Sequence, residues 1–333
     1  MQMRRVKIVG TGKYMPSRIV TDEEMDRRLG APGGWTLKTT DVAVRHFAEN
    51  GETASYMGAR AAEEALADAG LTFADIDCIV CASGTKEQAL PSTASLIQQA
   101  LGEAWSGVPA FDIDATCISF VVGFDTMSYL VDAGRYRNVL LVSTEIASVG
   151  LDWSDKESAA LFGDGAAAVV IGPSGTGEAS CIFGSSLRTY GKGAKLSEVR
   201  GGGTSMHPRE HNARTEKDFL FRMDGPAIFK MASKLLPGFV QELFAPSGSR
   251  MADFQAVIPH QGSAMAMRLL RKKLGIAEEQ LVYITPNHGN TIAASIPMGL
   301  YEAARQGKMK RGDKVLLIGT AAGLSLGGMT LVY

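Results

Sequence analysis

Ala110-Phe111-Asp112-Ile113-Asp114-Ala115-Thr116-Cys117-Ile118-Ser119-Phe120-Val121-Val122-Gly123-Phe124 reads as a short strand that turns at once into an apolar helix, with Cys117 at the junction. A thiol there meets the unpaired N–H groups and positive dipole end of a helix, which favour thiolate over thiol. Taken alone, the pattern equally describes a small core residue at a helix start. Two distant stretches bear on the choice. Val257-Ile258-Pro259-His260-Gln261 puts His260 at the end of an apolar strand, and Asn287-His288-Gly289-Asn290-Thr291-Ile292-Ala293-Ala294-Ser295-Ile296-Pro297 puts Asn290 ahead of a second apolar helix. A Cys, a His and an Asn, each at a strand-to-helix junction, make a nucleophile with two groups suited to stabilising an anion.

Working outward, strands and helices alternate. An alanine-rich amphipathic helix covers about residues 52 to 70 and ends at Gly70. A buried strand from Asp77 to Ser83, a helix from Ser92 to Leu101 and the strand into Cys117 follow. The helix from Cys117 to about Asp132 is apolar on nearly every side and therefore expected to be buried all round. Strands at 139–143 and 166–171 close this half. The second half repeats the rhythm, with a strand near 180–187 and a polar excursion from about Tyr190 to Lys217. Then come helices at 225–243, 264–274 and 292–306, and strands at 256–259, around Val282, at 315–319 and at 328–332. Both halves read β–α–β–α–β–β, which indicates a duplication divided near Pro173, into residues 1–173 and 174–333. Gly10-Thr11-Gly12-Lys13 lacks the spacing of a phosphate loop and is read as turn chemistry after the first strand.

The 333 residues are 45% hydrophobic and 21% charged with a formal net charge of −1, which suits a globular protein and gives no reason to expect nucleic-acid or membrane binding. No apolar run is long enough to span a bilayer, and the first residues lead into a strand, so a cytoplasmic location is expected. Four cysteines are too few for a disulfide framework. Cys78 and Cys81 lie three apart on an apolar strand and so point to opposite faces, and no second pair completes a metal site. His288 is read as structural, and Gly163-Asp164-Gly165 as a tight turn beneath the candidate site.

With these junctions in place the chain resembles the β-ketoacyl-acyl carrier protein synthases of the third type, in the thiolase superfamily. The resemblance runs the whole length: Trp35, Pro91-Ser92, Cys117, Leu161-Phe162-Gly163-Asp164-Gly165-Ala166, Pro259-His260-Gln261, Gly289-Asn290-Thr291 with Ala293 to Pro297, and Ala321-Ala322-Gly323. Degradative thiolases carry a second catalytic cysteine near the C-terminus, and none follows Cys181 here. Elongating synthases use two histidines where this chain has His260 and Asn290. The resemblance implies an α/β thiolase-like fold, two similar halves in a five-layered αβαβα arrangement. It implies acylation of Cys117, an oxyanion hole of the Cys117 and Ala322 N–H groups, and a decarboxylating condensation with a malonyl thioester whose enolate is held by His260 and Asn290. No metal or cofactor is implied, because acyl-CoA or acyl carrier protein thioesters and the malonyl thioester are substrates. Acyl carrier protein is the implied partner and a homodimer the implied assembly. Trp35, Lys156, Gly225, Phe229 and Ser263 would contact the nucleotide or pantetheine, while Leu90, reaching from a partner subunit, and Ser119 would wall the acyl pocket.

Departures from the pattern bear on the substrates. Thr39 and Lys156 stand where the family has cations that sandwich adenine with the tryptophan, and lysine lacks a planar face for stacking. Ser119 replaces a usual glycine and Ser263 a usual asparagine. Leu90 is smaller than the aromatic of acetyl-specific members, which points to a primer longer than acetyl. The two serines keep a second reading open, an acyltransferase or thioesterase that forms acyl-Cys117 and makes no carbon–carbon bond. Arg268, Arg271, Lys272, Lys273 and Lys230 offer a basic surface for an acidic carrier protein, or a solvated helix face.

Overall fold

The computed structural model describes residues 3–333. Its first half runs β1 (Val6–Tyr14), β2 (Arg18–Thr21), α1 (Asp22–Leu29), α2 (Trp35–Thr40), β3 (Val44–Phe47), α3 (Ala54–Ala69), β4 (Cys78–Cys81), α4 (Thr93–Ala100), β5 (Ala110–Asp112), α5 (Ser119–Asp132), β6 (Val139–Glu145), α6 (Lys156–Ala159) and β7 (Gly165–Pro173). The second runs β8 (Cys181–Thr189), β9 (Ser197–Glu198), β10 (Arg222–Met223), α7 (Gly225–Phe244), β11 (Ala256–Pro259), α8 (Ala264–Leu274), α9 (Thr285–His288), α10 (Ser295–Arg305), β12 (Lys314–Ala321) and β13 (Ser325–Val332).

Two mixed sheets carry the fold, in the orders β1-β7-β6-β4-β5 and β8-β13-β12-β11. In the first, β4, β5 and β6 are parallel and β7 is antiparallel to both neighbours. In the second, β11 and β12 are parallel and β13 is antiparallel to both neighbours. The four strands of the second sheet thus match β1, β7, β6 and β4 of the first. The place of β5 is taken in the second sheet by a single parallel bridge, Val257 to Leu281, so the strand expected around Val282 is reduced to that bridge.

The alternation of side chains along each strand sorts the layers. Cys78, Val80, Leu141 and Val169 face inward, onto Phe120, Phe124 and Met127 of α5 and Ile296, Met298 and Leu300 of α10, which also cover Ile258, Leu317 and Met329 of the second sheet. Ile79, Cys81, Leu140 and Val170 face outward onto Met57, Ala61 and Ala65 of α3 and Ile97 of α4. Leu236, Phe239 and Leu243 of α7 with Met267 and Leu270 of α8 cover the outer face of the second sheet. The result is five layers, αβαβα, and the two cysteines of the C-x-x-C lie in different cores, as strand periodicity requires.

The Gly10-Thr11-Gly12-Lys13 segment is not a turn. It continues β1 to Tyr14, and its glycines let α3 settle onto the strand. A Cβ on Gly10 would lie 2.4 Å from the Ala65 carbonyl oxygen, and one on Gly12 2.1 Å from that of Ala61. The hairpin of β2 and β3, with α1 and α2 between, was not legible in the sequence.

Candidate active site

The Cys117 junction is a turn held by its own side chains. Thr116 has φ +51°, a left-handed conformation that a β-branched residue seldom adopts, and Thr116–Ile118 form one 3₁₀ turn before α5. Asp114 Oδ1 accepts from the Thr116 N–H at 2.9 Å. Ser119 Oγ accepts from the Ala115 N–H at 2.8 Å and faces the carbonyl oxygens of Thr116 at 2.7 Å and Ser83 at 3.2 Å. The Ser119 side chain is wholly buried and its hydroxyl bonds backbone throughout.

Cys117 is half-buried. Burial pushes its thiol up to about 12 and the buried Glu145 adds to the rise, while the N–H groups of Ala322 and Cys117 act in the opposite direction. The helix end alone was expected to favour the thiolate. The α-helix in fact begins two residues later, at Ser119, and desolvation outweighs the backbone donors. Two N–H groups thus stand close enough to the Cys117 sulfur to act on a charge that develops beside it.

His260 follows β11, its N–H donating to the Ile318 carbonyl at 2.8 Å. A Cβ on Gly319 would lie 3.0 Å from the His260 Cβ and 2.9 Å from Ile118, so glycine there lets the imidazole and the Cys117 turn approach β12 together. His260 Nδ1 lies 2.8 Å from Ser295 Oγ, which is also 2.8 Å from the Ile292 carbonyl oxygen. The serine hydrogen can point to either partner, so the pair accommodates both neutral tautomers with Nε2 left to face a substrate. Burial pushes His260 down to about 4, which keeps it uncharged at neutral pH.

Asn290 is 6% exposed. Its Oδ1 accepts from the Ile292 N–H at 2.9 Å and its Nδ2 donates to the Gly262 carbonyl at 3.3 Å, which fixes the amide with its NH₂ edge on the His260 side. The Asn290 backbone zips against residues 161–163, with its N–H to Leu161 O at 2.8 Å and its carbonyl accepting from Gly163 N–H at 3.1 Å. A Cβ on Gly163 would sit 2.2 Å from the His288 carbonyl oxygen, so only glycine lets these segments meet. Asp164 anchors them beneath, accepting from the N–H groups of Ala48 and Ser148, each at 2.9 Å. His288 turns away from this site. Its Nδ1 donates to Ile284 O at 3.0 Å and its Nε2 accepts from Lys13 Nζ at 3.2 Å.

The remaining nominated residues lie around this centre at different depths. Ala322 directly follows β12. Ser263 caps α8, accepting from the Ala266 N–H at 3.1 Å, which leaves its hydroxyl hydrogen for another acceptor. Gly225 opens α7 with half-buried Phe229 one turn on. Trp35 opens α2, half-buried, while Lys156 is exposed with its Nζ on the Gly30 carbonyl at 2.9 Å. Leu90 is 84% exposed. Sequence reasoning missed three features. The Arg28 guanidinium stacks 3.4 Å over Trp153, in the apolar cluster that Trp35 borders. Gln261 is buried and joins Pro259 and Val282 to Ile284 and Thr285. Glu145 is buried beside both junctions; a lone acidic residue ending Val139-Leu140-Leu141-Val142-Ser143-Thr144 was the signal for it. Among the described residues no group of three His, Cys, Asp or Glu side chains is placed to hold a metal ion.

The arrangement is a thiol beside two backbone donors and two uncharged side-chain donors, a setting for acyl transfer and for stabilising an enolate. Comparison with known proteins agrees. Residues 111–191 match the model for 3-oxoacyl-[acyl-carrier-protein] synthase III, and residues 244–333 the model for its C-terminal part. The β-ketoacyl-[acyl-carrier-protein] synthase III of Neisseria gonorrhoeae is 35% identical over 335 residues, covering 99% of this chain and all of that protein. The crystal structure of 3-oxoacyl-[acyl-carrier-protein] synthase III from Aquifex aeolicus superposes with TM-score 0.89 at 33% identity, over 98% of this chain and 100% of that one. The Pseudomonas aeruginosa structure gives 0.88 at 30% identity, over 99% and 98%. The chain belongs to the β-ketoacyl-[acyl-carrier-protein] synthase III family of the thiolase superfamily.

Proposed function

We propose that this enzyme performs the decarboxylating condensation of its family with Cys117, His260 and Asn290 in the roles that their geometry suits. The observation that carries this is the contact of two turns. Residues 116–118 pack directly on 292–294, which puts the nucleophile beside the segment that orients both anion-stabilising side chains. Cys117 Sγ bonds the primer carbonyl carbon, the thioester C–S bond breaks, and the carrier thiol leaves with the proton. The oxyanion lies between the N–H groups of Cys117 and Ala322. The malonyl carbonyl then takes its place between His260 and Asn290. As its carboxylate departs as carbon dioxide, the electron pair becomes an enolate stabilised by two uncharged donors in a desolvated site. The enolate carbon bonds the acyl carbon, the acyl C–S bond to Cys117 breaks, the departing sulfur takes up a proton from solvent, and a 3-oxoacyl thioester forms. The scheme draws on no metal or cofactor. Retention of both donors favours condensation over simple acyl transfer, which needs no enolate pocket.

We place acyl carrier protein on the exposed basic residues of α8, Arg268, Arg271, Lys272 and Lys273, by charge complementarity. Trp35, Lys156, Gly225, Phe229 and Ser263 line the approach for the pantetheine-bearing substrates in this reading. A homodimer formed at edge strand β5 accounts for the exposure of Phe111 there and of Leu90 and Trp105 nearby in sequence, and Leu90 then enters the partner's acyl pocket. All four cysteines are free thiols, which suits a reducing cytoplasm, and no helix among the described residues is long and apolar enough to cross a membrane.

Intact-protein mass spectrometry after incubation with a panel of acyl-CoA and acyl carrier protein thioesters, then a malonyl thioester, tests the scheme. We expect an acyl adduct on the wild type, absent in Cys117→Ala, that converts to a released 3-oxoacyl thioester. An adduct that decays to free acid without carbon–carbon bond formation contradicts it.

A further inference from the structure

The two matched halves contain two matched helix-start turns. Asp114, Thr116, Cys117 and Ser119 correspond to Asn290, Ile292, Ala293 and Ser295. In each turn the first side chain accepts from the backbone N–H two residues on, at 2.9 Å. In each, the second residue is left-handed, Thr116 at φ +51° and Ile292 at +48°. In each, the serine hydroxyl reaches back to the carbonyl three residues earlier, at 2.7 and 2.8 Å. The strands correspond as well. Cys78 pairs with Val139 as Ala256 pairs with Val315, so Glu145 matches Ala321 and Ile146 matches Ala322.

The turns are crossed between halves. The Cys117 turn packs against the end of β12, where Ala322 supplies the second N–H, and the Ala293 turn packs against the end of β6. The Ala293 N–H is therefore the counterpart of the Cys117 N–H. It is occupied by Glu145 Oε1 at 3.3 Å. The same carboxyl group accepts from the Gly84 N–H at 2.6 Å, the Thr85 N–H at 2.9 Å and the Thr85 hydroxyl at 2.6 Å, and it is wholly buried. Desolvation raises it to about 8 in spite of these donors.

We infer that Glu145 is a positioning residue for the decarboxylation step: its carboxyl group fills the counterpart of the oxyanion hole and clamps the 290–295 segment, and so sets the aim of Asn290 and His260. The clamp reaches Asn290 through Ile292, whose N–H holds Oδ1, and His260 through Ser295, which bonds both Ile292 O and the imidazole. Gly84, on the same Oε1 as Ala293, and Thr85, on Oε2, tie the carboxyl to the loop after β4, so the nucleophile half directly braces the enolate-stabilising half. The inference rests on the roles proposed above for His260 and Asn290.

The test measures the two half-reactions separately in the full-length wild type and in Glu145→Gln, which puts an NH₂ against a donor, with Glu145→Asp as the second variant should glutamine prevent folding. Carbon dioxide release from malonyl-acyl carrier protein reads the enolate pocket, and the initial rate of acyl adduct formation on Cys117 reads the nucleophile. Release is expected to fall about 10²-fold, the cost of a misplacement near 1 Å, with acylation held within about threefold. Equal losses in both half-reactions would show a merely structural role and overturn the inference, as would wild-type rates in both. A wild type that acylates Cys117 yet releases no carbon dioxide would instead sink the underlying reading of His260 and Asn290, and the inference with it.

Discussion

The turns at Cys117 and Ala293 share a backbone path and hydrogen-bond scheme, yet one carries the proposed nucleophile and the other an alanine whose N–H is capped by a buried carboxyl. A helix start with free N–H groups is a place for negative charge. In one half that place is left for substrate, and in the other the protein fills it with Glu145. In the proposed scheme the two matched turns divide the tasks: one reacts, and its counterpart supports Asn290 and His260. Neither turn needs a charged side chain at the reacting atoms, since His260 is held neutral and the Cys117 thiol is raised by its surroundings.

Making the two turns alike should have the largest effect. Cys117→Ala gives the first turn the side chain of the second, and we expect no acyl adduct and no condensation by intact mass. Exchanging the anchors comes next. Asn290→Ala should cut carbon dioxide release by roughly 10²- to 10³-fold, the range for losing one donor to a developing anion. Asp114→Ala removes the matching cap and should cost about 1 kcal/mol of stability in urea titration, with release within a few-fold. The serines separate further. Ser295→Ala should slow release by about tenfold through a loosened imidazole, whereas Ser119→Ala should lower the unfolding free energy by about 1–3 kcal/mol by leaving buried backbone groups unpaired.

The pH dependence sharpens the comparison from both sides. Glu145 has a folded-state value raised from 4.5 to about 8, so its stabilising effect is complete below the lower value and is lost as pH rises through the higher one. Relative to Glu145→Gln, the wild type should lose on the order of a few kcal/mol between pH 5 and 8, measured as the urea midpoint. His260 has the opposite sign. Its folded value is lowered from 6.5 to about 4, so its contribution is present above pH 6.5 and is lost as pH falls through 4.

The sequence was most informative where local pattern and function coincide. Cys117 and His260 stand between an apolar strand and a helix, and the repeated rhythm of the halves anticipates two matching sheets, whereas Asn290 follows the short helix α9 rather than the expected strand. It misled where a distant element decides the outcome. Gly10 and Gly12 read as a turn because only the packed α3 shows why a strand needs glycine there. Glu145 ends an apolar strand without any motif around it, and its donors at Gly84, Thr85 and Ala293 come from two other segments. The thiolate was expected from the helix start alone, and the desolvation that opposes it comes from packing that local pattern does not show.

The division of labour between the turns is tested most directly by following malonyl decarboxylation in Cys117→Ala beside Asn290→Ala. The account predicts that Cys117→Ala, though unable to condense, still releases carbon dioxide from the malonyl thioester, while Asn290→Ala accepts the acyl group and releases almost none. Decarboxylation lost with Cys117 and kept without Asn290 would contradict it.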